Sequence, residues 1–349
     1  MVTRKSVSAL SNARSAQVAG AFVYHADAKS MYEHWPAATC IIADGPYGLG
    51  KFPGEAKTHT QLAEWYAQHA AAWSKYSATD CTLWFWNTEV GWATVHPMLE
   101  LHGWQYEEAC VWDKGLAHIA GNVNSKTIRG MPVVTELAVR YTKRNRLATP
   151  GNDALTLKEW VRAEWVRSGL QMYKANEACG VANAATRKYL TECHMWYFPP
   201  AEAVQRMAEY CERHGRSSNG WPYFSLDGKA QFDPVKWDRM RAKWNHAHGV
   251  TNVWQSPPVH GSERVRSGDG YLHANQKPLA LMDLQVKACT DVGDVIWEPF
   301  GGLCSASVAA ARLGRRAFAA EVHEEYFNAA VQRLREASNT WQQPQQVAA

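Results

Sequence analysis

The chain predicts an α/β fold: a mostly parallel sheet covered by helices and interrupted by a mainly helical insertion. Short apolar runs alternate with amphipathic helical segments up to about residue 145, and the same alternation resumes after residue 272. Between them the strands drop out and the sequence reads as helices. With 349 residues, 20% charged and 46% hydrophobic, the chain suits one large domain carrying an insertion, and its composition excludes a disordered or fibrous protein.

The first twenty residues are basic and rich in small side chains but hold no continuous apolar run, which predicts a flexible arm over 1–20 and no secretory signal. The next segment, 21–145, opens with strands at AFVYHADA (21–28) and ATCIIAD (38–44) around the short helix KSMYEHW. THTQLAEWYAQHAAAWSKY (58–76) is an amphipathic helix and CTLWFWN (81–87) a buried strand. The helical GWATVHPMLELHG follows, then strands at YEEACVWDK (106–114) and VVTELAVRYTK (133–143). Strands alternating with helices predict a parallel sheet covered on both faces.

The insertion, 146–250, carries amphipathic helices at LTLKEWVRAEWVRSG (155–169) and AEAVQRMAEYCERHG (201–215). Between them, KANEACGVANAATRKYL (174–190) reads as helix, glycine turn at Gly180 and helix, with ANAATRKYL in the recognition position of a helix-turn-helix. The same pattern occurs in plain helical packing. The insertion holds 15 Lys and Arg against 11 Asp and Glu, which accounts for the whole net charge of +4. A basic surface favours a polyanion, although a solvated face has the same signature. The last segment, 251–338, returns to strands and helices: KPLALMDLQVKACT is a helix, VIWEPF a strand, SASVAAARLG a helix, RAFAAEV a strand and EEYFNAAVQRLREAS a helix, with a disordered tail at 339–349.

The eight cysteines lie far apart with no C-x-x-C pair, so they read as reduced, packed thiols, and no metal site is expected. No run is apolar enough for a membrane span. The 17 tryptophans read mostly as core.

The strongest chemical signal is VIWEPFGGLCSASVAAARLG (295–314). A strand ending in Glu298 and then Phe300-Gly301-Gly302 brings backbone against a ligand at the carboxyl edge of a sheet. One strand later, Glu321 is placed to accept hydrogen bonds from ribose hydroxyls. Together they favour an adenosine-containing ligand.

CIIADGPYGLG (40–50) ends a buried strand with Asp44-Gly45-Pro46-Tyr47, which resembles the D-P-P-Y tetrad of amino-directed DNA methyltransferases. The segment from His273 to Leu334, with Gln276-Lys277-Pro278, the glycine-rich loop and Glu321, resembles their cofactor-binding half. HADAKSMYEHW matches the family's G-D element at Asp27, and VWDKG (111–115) another recurrent segment. The tetrad comes first, then the insertion, then the glycine loop, which is the permuted, beta-class order. The resemblance covers about two-thirds of the chain and implies a Rossmann-like methyltransferase sheet, mostly parallel and permuted, with 21–145 as its catalytic half, 146–250 as a DNA target-recognition insertion and 251–338 as its cofactor half.

The resemblance also implies roles. S-adenosylmethionine is the implied cofactor, held by Asp27, Gln276, Lys277, Pro278, Glu298, Phe300, Gly302, Cys304, Ser305 and Glu321. The implied substrate is double-stranded DNA, with a flipped-out adenine methylated at N6. Asp44 and the Gly45 carbonyl accept hydrogen bonds from its amino group, Pro46 shapes the turn, and Tyr47 stacks on the base. Lys174, Arg187 and Lys188 are the candidate DNA contacts. A homodimer and a cytoplasmic, nucleoid-associated location are the corresponding expectations. Two departures stand out: Gly45 replaces the usual proline, and Cys304 fills the place of the glycine loop's second glycine. An acid leading the tetrad favours adenine, while a cytosine-N4 enzyme and a catalytically impaired DNA-binding relative remain the alternatives. Ser256-Pro257-Pro258-Val259 looks like a cytosine-type tetrad but lacks the aromatic, and reads as a rigid loop.

Overall fold

The structure, a computed structural model, describes residues 13–50, 56–119, 129–245, 249–268 and 270–340. The chain divides into two compact units, Met1–Lys143 with Ala242–Ala349, and Arg144–Arg241.

The first unit is built on one nine-stranded sheet. In chain order its strands are β1 (Ser15–Val18), β2 (Ala21–His25), β3 (Cys40–Ala43), β4 (Thr82–Asn87), β5 (Trp104–Asp113) and β6 (Thr135–Lys143). The second unit opens with a hairpin of β7 (Arg146–Thr149) and β8 (Asn152–Thr156). The first unit then resumes with β9 (Val253–Gln255), a two-stranded ribbon of β10 (Arg266–Ser267) and β11 (Gly270–Tyr271), β12 (Val295–Glu298) and β13 (Arg316–Glu321).

The large sheet runs β1-β2-β13-β12-β3-β4-β6-β5-β9. From β2 to β4 every pair is parallel, with Trp297 opposite Ile41 and Phe318 opposite Phe22. The sheet is mostly parallel, as expected, with antiparallel pairs toward its two edges: β1 against β2, and β6 between β4 and β5. Returning a strand parallel to its neighbour needs a crossover, usually a helix. The described part of the β5–β6 connection carries only the short 3₁₀ turn Leu116–Ile119.

Side chains leave each buried strand on alternate faces, and this divides the core in two. Cys40, Ile42, Trp84 and Trp86 join one cluster; Ile41, Ala43, Leu83 and Phe85 join the other. The second cluster is closed by α1 (Leu62–Tyr76) and α2 (Glu89–Leu101), through residues such as Tyr66, Trp73, Val95 and Leu99.

The predicted flexible arm needs correcting over its last residues. Ser15–Val18 forms β1 because Ala19 and Gly20, both left-handed at φ 48° and 88°, make a tight hairpin into β2. Arg14 then ties this edge to the last helix through Glu324 and Asn328. That helix continues to Thr340, two residues into the predicted tail. The rest of the tail lies outside the described residues.

The second unit packs α3 (Leu157–Arg167), α4 (Lys174–Cys179), α5 (Ala201–His214) and α6 (Pro234–Asp238) around Trp160, Trp165 and Trp237. A capping box of Thr156 and Glu159 starts α3. After α4, Gly180 takes the left-handed C-cap, as its position in the sequence suggests. The element that follows is not a recognition helix of ordinary length. It is a single π turn, Ala185–Tyr189, in which the Leu190 amide reaches the Ala185 carbonyl and Asn176 braces the Thr186 amide. The unit ends at Arg241, whereas the sequence places the insertion's end at 250. Among the described residues, no helix is long and apolar enough to cross a membrane.

Candidate active site

Strand topology assembles the site. β12 leads toward β13 on one side and β3 toward β4 on the other, so the chain reverses its direction of winding between β12 and β3. Because these strands are parallel, their carboxyl ends lie along one edge. Asp27 follows β2, Glu321 ends β13, Glu298 ends β12 and Asp44 follows β3. A crevice at such a switch point is where open α/β sheets take ligands.

A cavity of about 340 Å³ lies there, at the lower end of the size range for small-molecule sites. It is lined by Asp27, the tetrad Asp44–Tyr47, Gln276, Lys277, Glu298, Phe300–Leu303, Ser305 and Glu321. Pro278 and Cys304, both expected at the cofactor, are not part of the lining. Pro278 is the N-cap of α7 (Leu279–Cys289). Cys304 holds the left-handed conformation, φ 55°, that a glycine would favour, and its side chain is fully buried in the core rather than facing the cavity. The cysteine therefore costs the site no space.

The glycine loop is fixed from several sides. The Gly301 amide donates to the Ala320 carbonyl of β13 (2.8 Å), and a Cβ at Gly301 would meet that oxygen at 3.0 Å. Glu298 does not reach freely into the cavity: its carboxylate accepts from the amides of Ala306 and Ser307 and from the Ser307 hydroxyl, capping α8 (Ser305–Arg312). Burial pushes its carboxyl up to about 7 against those hydrogen bonds. Ser305 Oγ accepts from the buried Arg333 guanidinium, which also bonds the Leu303 carbonyl. Glu321 accepts from the Gly302 amide (2.6 Å) with one oxygen and from the His323 amide with the other. Gln276 is used structurally as well, its amide bridging the Val265 amide and the Glu263 carbonyl. Asp27 caps the turn after β2 through the Lys29 amide and stays half exposed.

At the other end, Asp44 is engaged by one side chain distant in sequence, Lys277, and one close by, Tyr47. Lys277 Nζ donates to both of its oxygens, at 2.8 and 2.9 Å, and the Tyr47 hydroxyl donates to Oδ1 at 2.8 Å. Lys277 also lies 3.3 Å from Glu136, which Lys114 grips at 2.7 Å. Burial raises the Asp44 carboxyl, and Lys277 pulls it back. Burial alone would lower Lys277, but Asp44 and Glu136 hold its ammonium above the ordinary lysine value. Tyr47 is only 6% exposed, with its hydroxyl on Asp44, so it does not present an open face for stacking here.

The tetrad's glycine has a steric reason. A Cβ at Gly45 would come within 2.5 Å of the Tyr66 hydroxyl and 2.6 Å of the Phe300 ring, and Tyr66 is itself fully buried and bonded to the Pro46 carbonyl. Proline at this position would meet the same atoms. Gly45→Ala is expected to destabilise the protein by about 1–3 kcal/mol through overpacking; urea unfolding measures it, and unchanged stability would show that the site relaxes.

The sequence did not single out Glu136, nor the aromatic wall of Trp65 and His69 beside Phe300. Trp65 stacks on His69 at 4.7 Å, and the Tyr32 hydroxyl shares a hydrogen bond of 2.7 Å with His69 Nδ1; burial lowers His69 to about 4, so the ring is neutral. The one signal for Glu136 was an acid inside the apolar run VVTELAV. The outlying candidates lie in the second unit, with Arg187 and Lys188 exposed and Lys174 paired with Glu177 at 2.6 Å. Ser256-Pro257-Pro258-Val259 follows β9, with the Ser256 carbonyl accepting from Trp112 and its amide bonded to Asp113. Among the described residues no group of three metal-ligating side chains occurs.

Parts of the chain are similar in sequence to known methyltransferases. A stretch of 84 residues is 36% identical to the type II methyltransferase M.ScaI of Streptomyces caespitosus, covering 24% of this chain and 28% of that protein. Another of 96 residues is 31% identical to the DNA adenine methyltransferase YhdJ of Escherichia coli, covering 28% and 31%. These matches span less than a third of each relative. Among solved structures, the PvuII DNA methyltransferase (cytosine-N4-specific) superposes with a TM-score of 0.52 at 12% identity, over 93% of this chain and 94% of that one, a likeness of fold. The family model described as DNA methylase matches residues 38–332, from the start of β3 through the glycine loop and into the last helix. Because that span takes in most of the chain, with the tetrad, the glycine loop and Glu321, the chain belongs to the N6/N4 DNA methylase family.

Proposed function

We propose that this protein methylates the exocyclic N6 of adenine in double-stranded DNA, with S-adenosylmethionine as methyl donor and the motif order of the beta class. The observation that carries the reading is the Asp44 carboxylate at the carboxyl end of β3, facing the same cavity as the glycine loop and Glu321. The residues fit the donor: Gly301 and Gly302 allow close backbone approach, and Glu321 offers an acceptor at the strand end where a ribose would bind. When bound, S-adenosylmethionine supplies an electrophilic methyl group.

The protein's part is to make the acceptor nitrogen reactive. The lone pair of an adenine amino group is delocalised into the ring. Asp44 and the Gly45 carbonyl accept hydrogen bonds from that group and localise the pair on nitrogen. Trp65, His69 and Phe300 form an aromatic wall of the cavity. An acid rather than serine at the head of the tetrad and the name of the Escherichia coli relative both favour adenine. Nucleoside analysis of DNA from cells expressing the protein tests this. N6-methyladenine is expected; N4-methylcytosine would assign the other amino chemistry, and neither would leave an impaired DNA-binding relative.

The second unit is proposed to read the target, with Arg187 and Lys188 as contacts. The two residues are consecutive, so they cannot both point the same way. Alanine at the phosphate-contacting one should reduce the salt slope of binding by about one unit on every duplex, while alanine at a base-contacting one relaxes sequence preference. Affinities measured at several salt concentrations on cognate and scrambled duplexes separate the two. No change from either would make the turn structural.

A further inference from the structure

The Lys277 ammonium does not face the cofactor end of the cavity alone. Five oxygens surround its nitrogen: Asp44 Oδ1 at 2.8 Å and Oδ2 at 2.9 Å, the Tyr47 hydroxyl at 3.2 Å, Glu136 Oε2 at 3.3 Å and the Asn275 carbonyl at 3.5 Å. An ammonium has three protons, so these acceptors use all of its donors and leave none for the carboxylate of a bound amino acid moiety. The lysine is 3% exposed. We propose that Lys277 is a positioning residue for methyl transfer: pinned by Glu136, its ammonium holds the Asp44 carboxylate ionised and oriented toward the incoming amino group. This rests on the methyltransferase reading above and replaces the cofactor contact that family resemblance implies for Lys277.

The charges around the pair balance. Asp44 and Glu136 are matched by Lys277 and Lys114, with the Tyr47 hydroxyl between the two acids and the Tyr66 hydroxyl bonded to the neighbouring Pro46 carbonyl. His273 stands near Lys277 and is neutral, lowered to about 4 by burial and by the lysine. A carboxylate has about four lone-pair sites. Lys277 and Tyr47 take three on Asp44, two on Oδ1 and one on Oδ2, so an acceptor site remains on Oδ2. A buried carboxylate must be ionised to accept without donating, and with Lys277 removed, burial and Glu136 both favour the protonated acid. Glu136 acts in the opposite sense on Asp44, since its negative charge raises the Asp44 carboxyl.

The two neighbours should therefore move the reaction's acid limb in opposite directions. The assay is tritiated methyl transfer from S-adenosylmethionine to unmethylated bulk DNA, with kcat and KM followed against pH. In Lys277→Met the acid limb of kcat moves up by about 1–3 pH units, and turnover lost at neutral pH, at least about tenfold, returns as pH is raised. In Glu136→Gln the limb moves down, and Lys277→Arg largely restores the wild-type profile. Affinity for S-adenosylmethionine, measured by calorimetry, stays within about threefold in all three. A limb unmoved in both neutralising variants, or a large loss of cofactor affinity at unchanged kcat, overturns the proposal. Should Lys277→Met not fold, Glu136→Gln decides by itself, through a limb that falls or stays. If the wild type transfers no methyl to DNA, the functional reading fails separately. The Asp44 carboxyl titration, followed by ¹³C resonance in aspartate-labelled protein and assigned with Asp44→Asn, then still reads the coupling: an upward shift in Lys277→Met supports it and no shift overturns it.

Discussion

Asp44→Ala abolishes methyl transfer while leaving S-adenosylmethionine binding nearly intact. The carboxylate lies at the tetrad end of the cavity, held by Lys277 and Tyr47, while Glu321 and the glycine loop form the other end. Without the carboxylate the tetrad loses its charged acceptor for the amino group, and the nitrogen remains a poor nucleophile. Removing one preorganised partner of this kind lowers kcat by about 10²–10³-fold. The fold survives because Lys277 keeps Glu136 as a counter-ion, so the substitution does not strand a buried charge. Tritium transfer and calorimetry on one preparation test both halves. Substantial turnover in the variant would show that the acceptor lies elsewhere.

Glu321→Ala weakens S-adenosylmethionine binding by about 1.5–3 kcal/mol, the range for hydrogen bonds to a charged acceptor. Glu321 is 7% exposed and ends β13, beside the loop it serves. Its Oε2 takes the Gly302 amide and its Oε1 the His323 amide, so the variant also releases the loop backbone that the ligand must approach. Glu321→Gln separates the two contributions, because the amide oxygen can still accept from Gly302 while the charge is gone. Calorimetric affinity unchanged in both variants would remove Glu321 from the cofactor site.

The residues at the strand ends were legible because a buried parallel strand is a short apolar run and anything polar that ends it stands out. Asp44 closes CIIA, Glu298 closes VIW and Glu321 closes RAFAA, and all three line the cavity. Residues whose role depends on an element distant in sequence were not legible. Glu298 lines the cavity as its position suggests, but that its carboxylate also caps the helix starting seven residues later was not legible. The Cys304 side chain, expected at the cofactor, is fully buried in the core instead.

The sequence by itself determined the alternation of strand and helix, the mainly helical character of the insertion it placed at 146–250, and which acids stand at the carboxyl ends of strands, because apolar periodicity and turn residues are local properties of the chain. The tertiary structure alone decided that β6 runs antiparallel, that Gly45 is required by the Tyr66 hydroxyl and the Phe300 ring, and that Lys277 meets Asp44 across 233 residues with Glu136 beside them. These are consequences of strand order and side-chain packing: β12 and β3 lie next to each other only once the sheet has formed, and no local pattern in either segment encodes what the other brings to the edge they share.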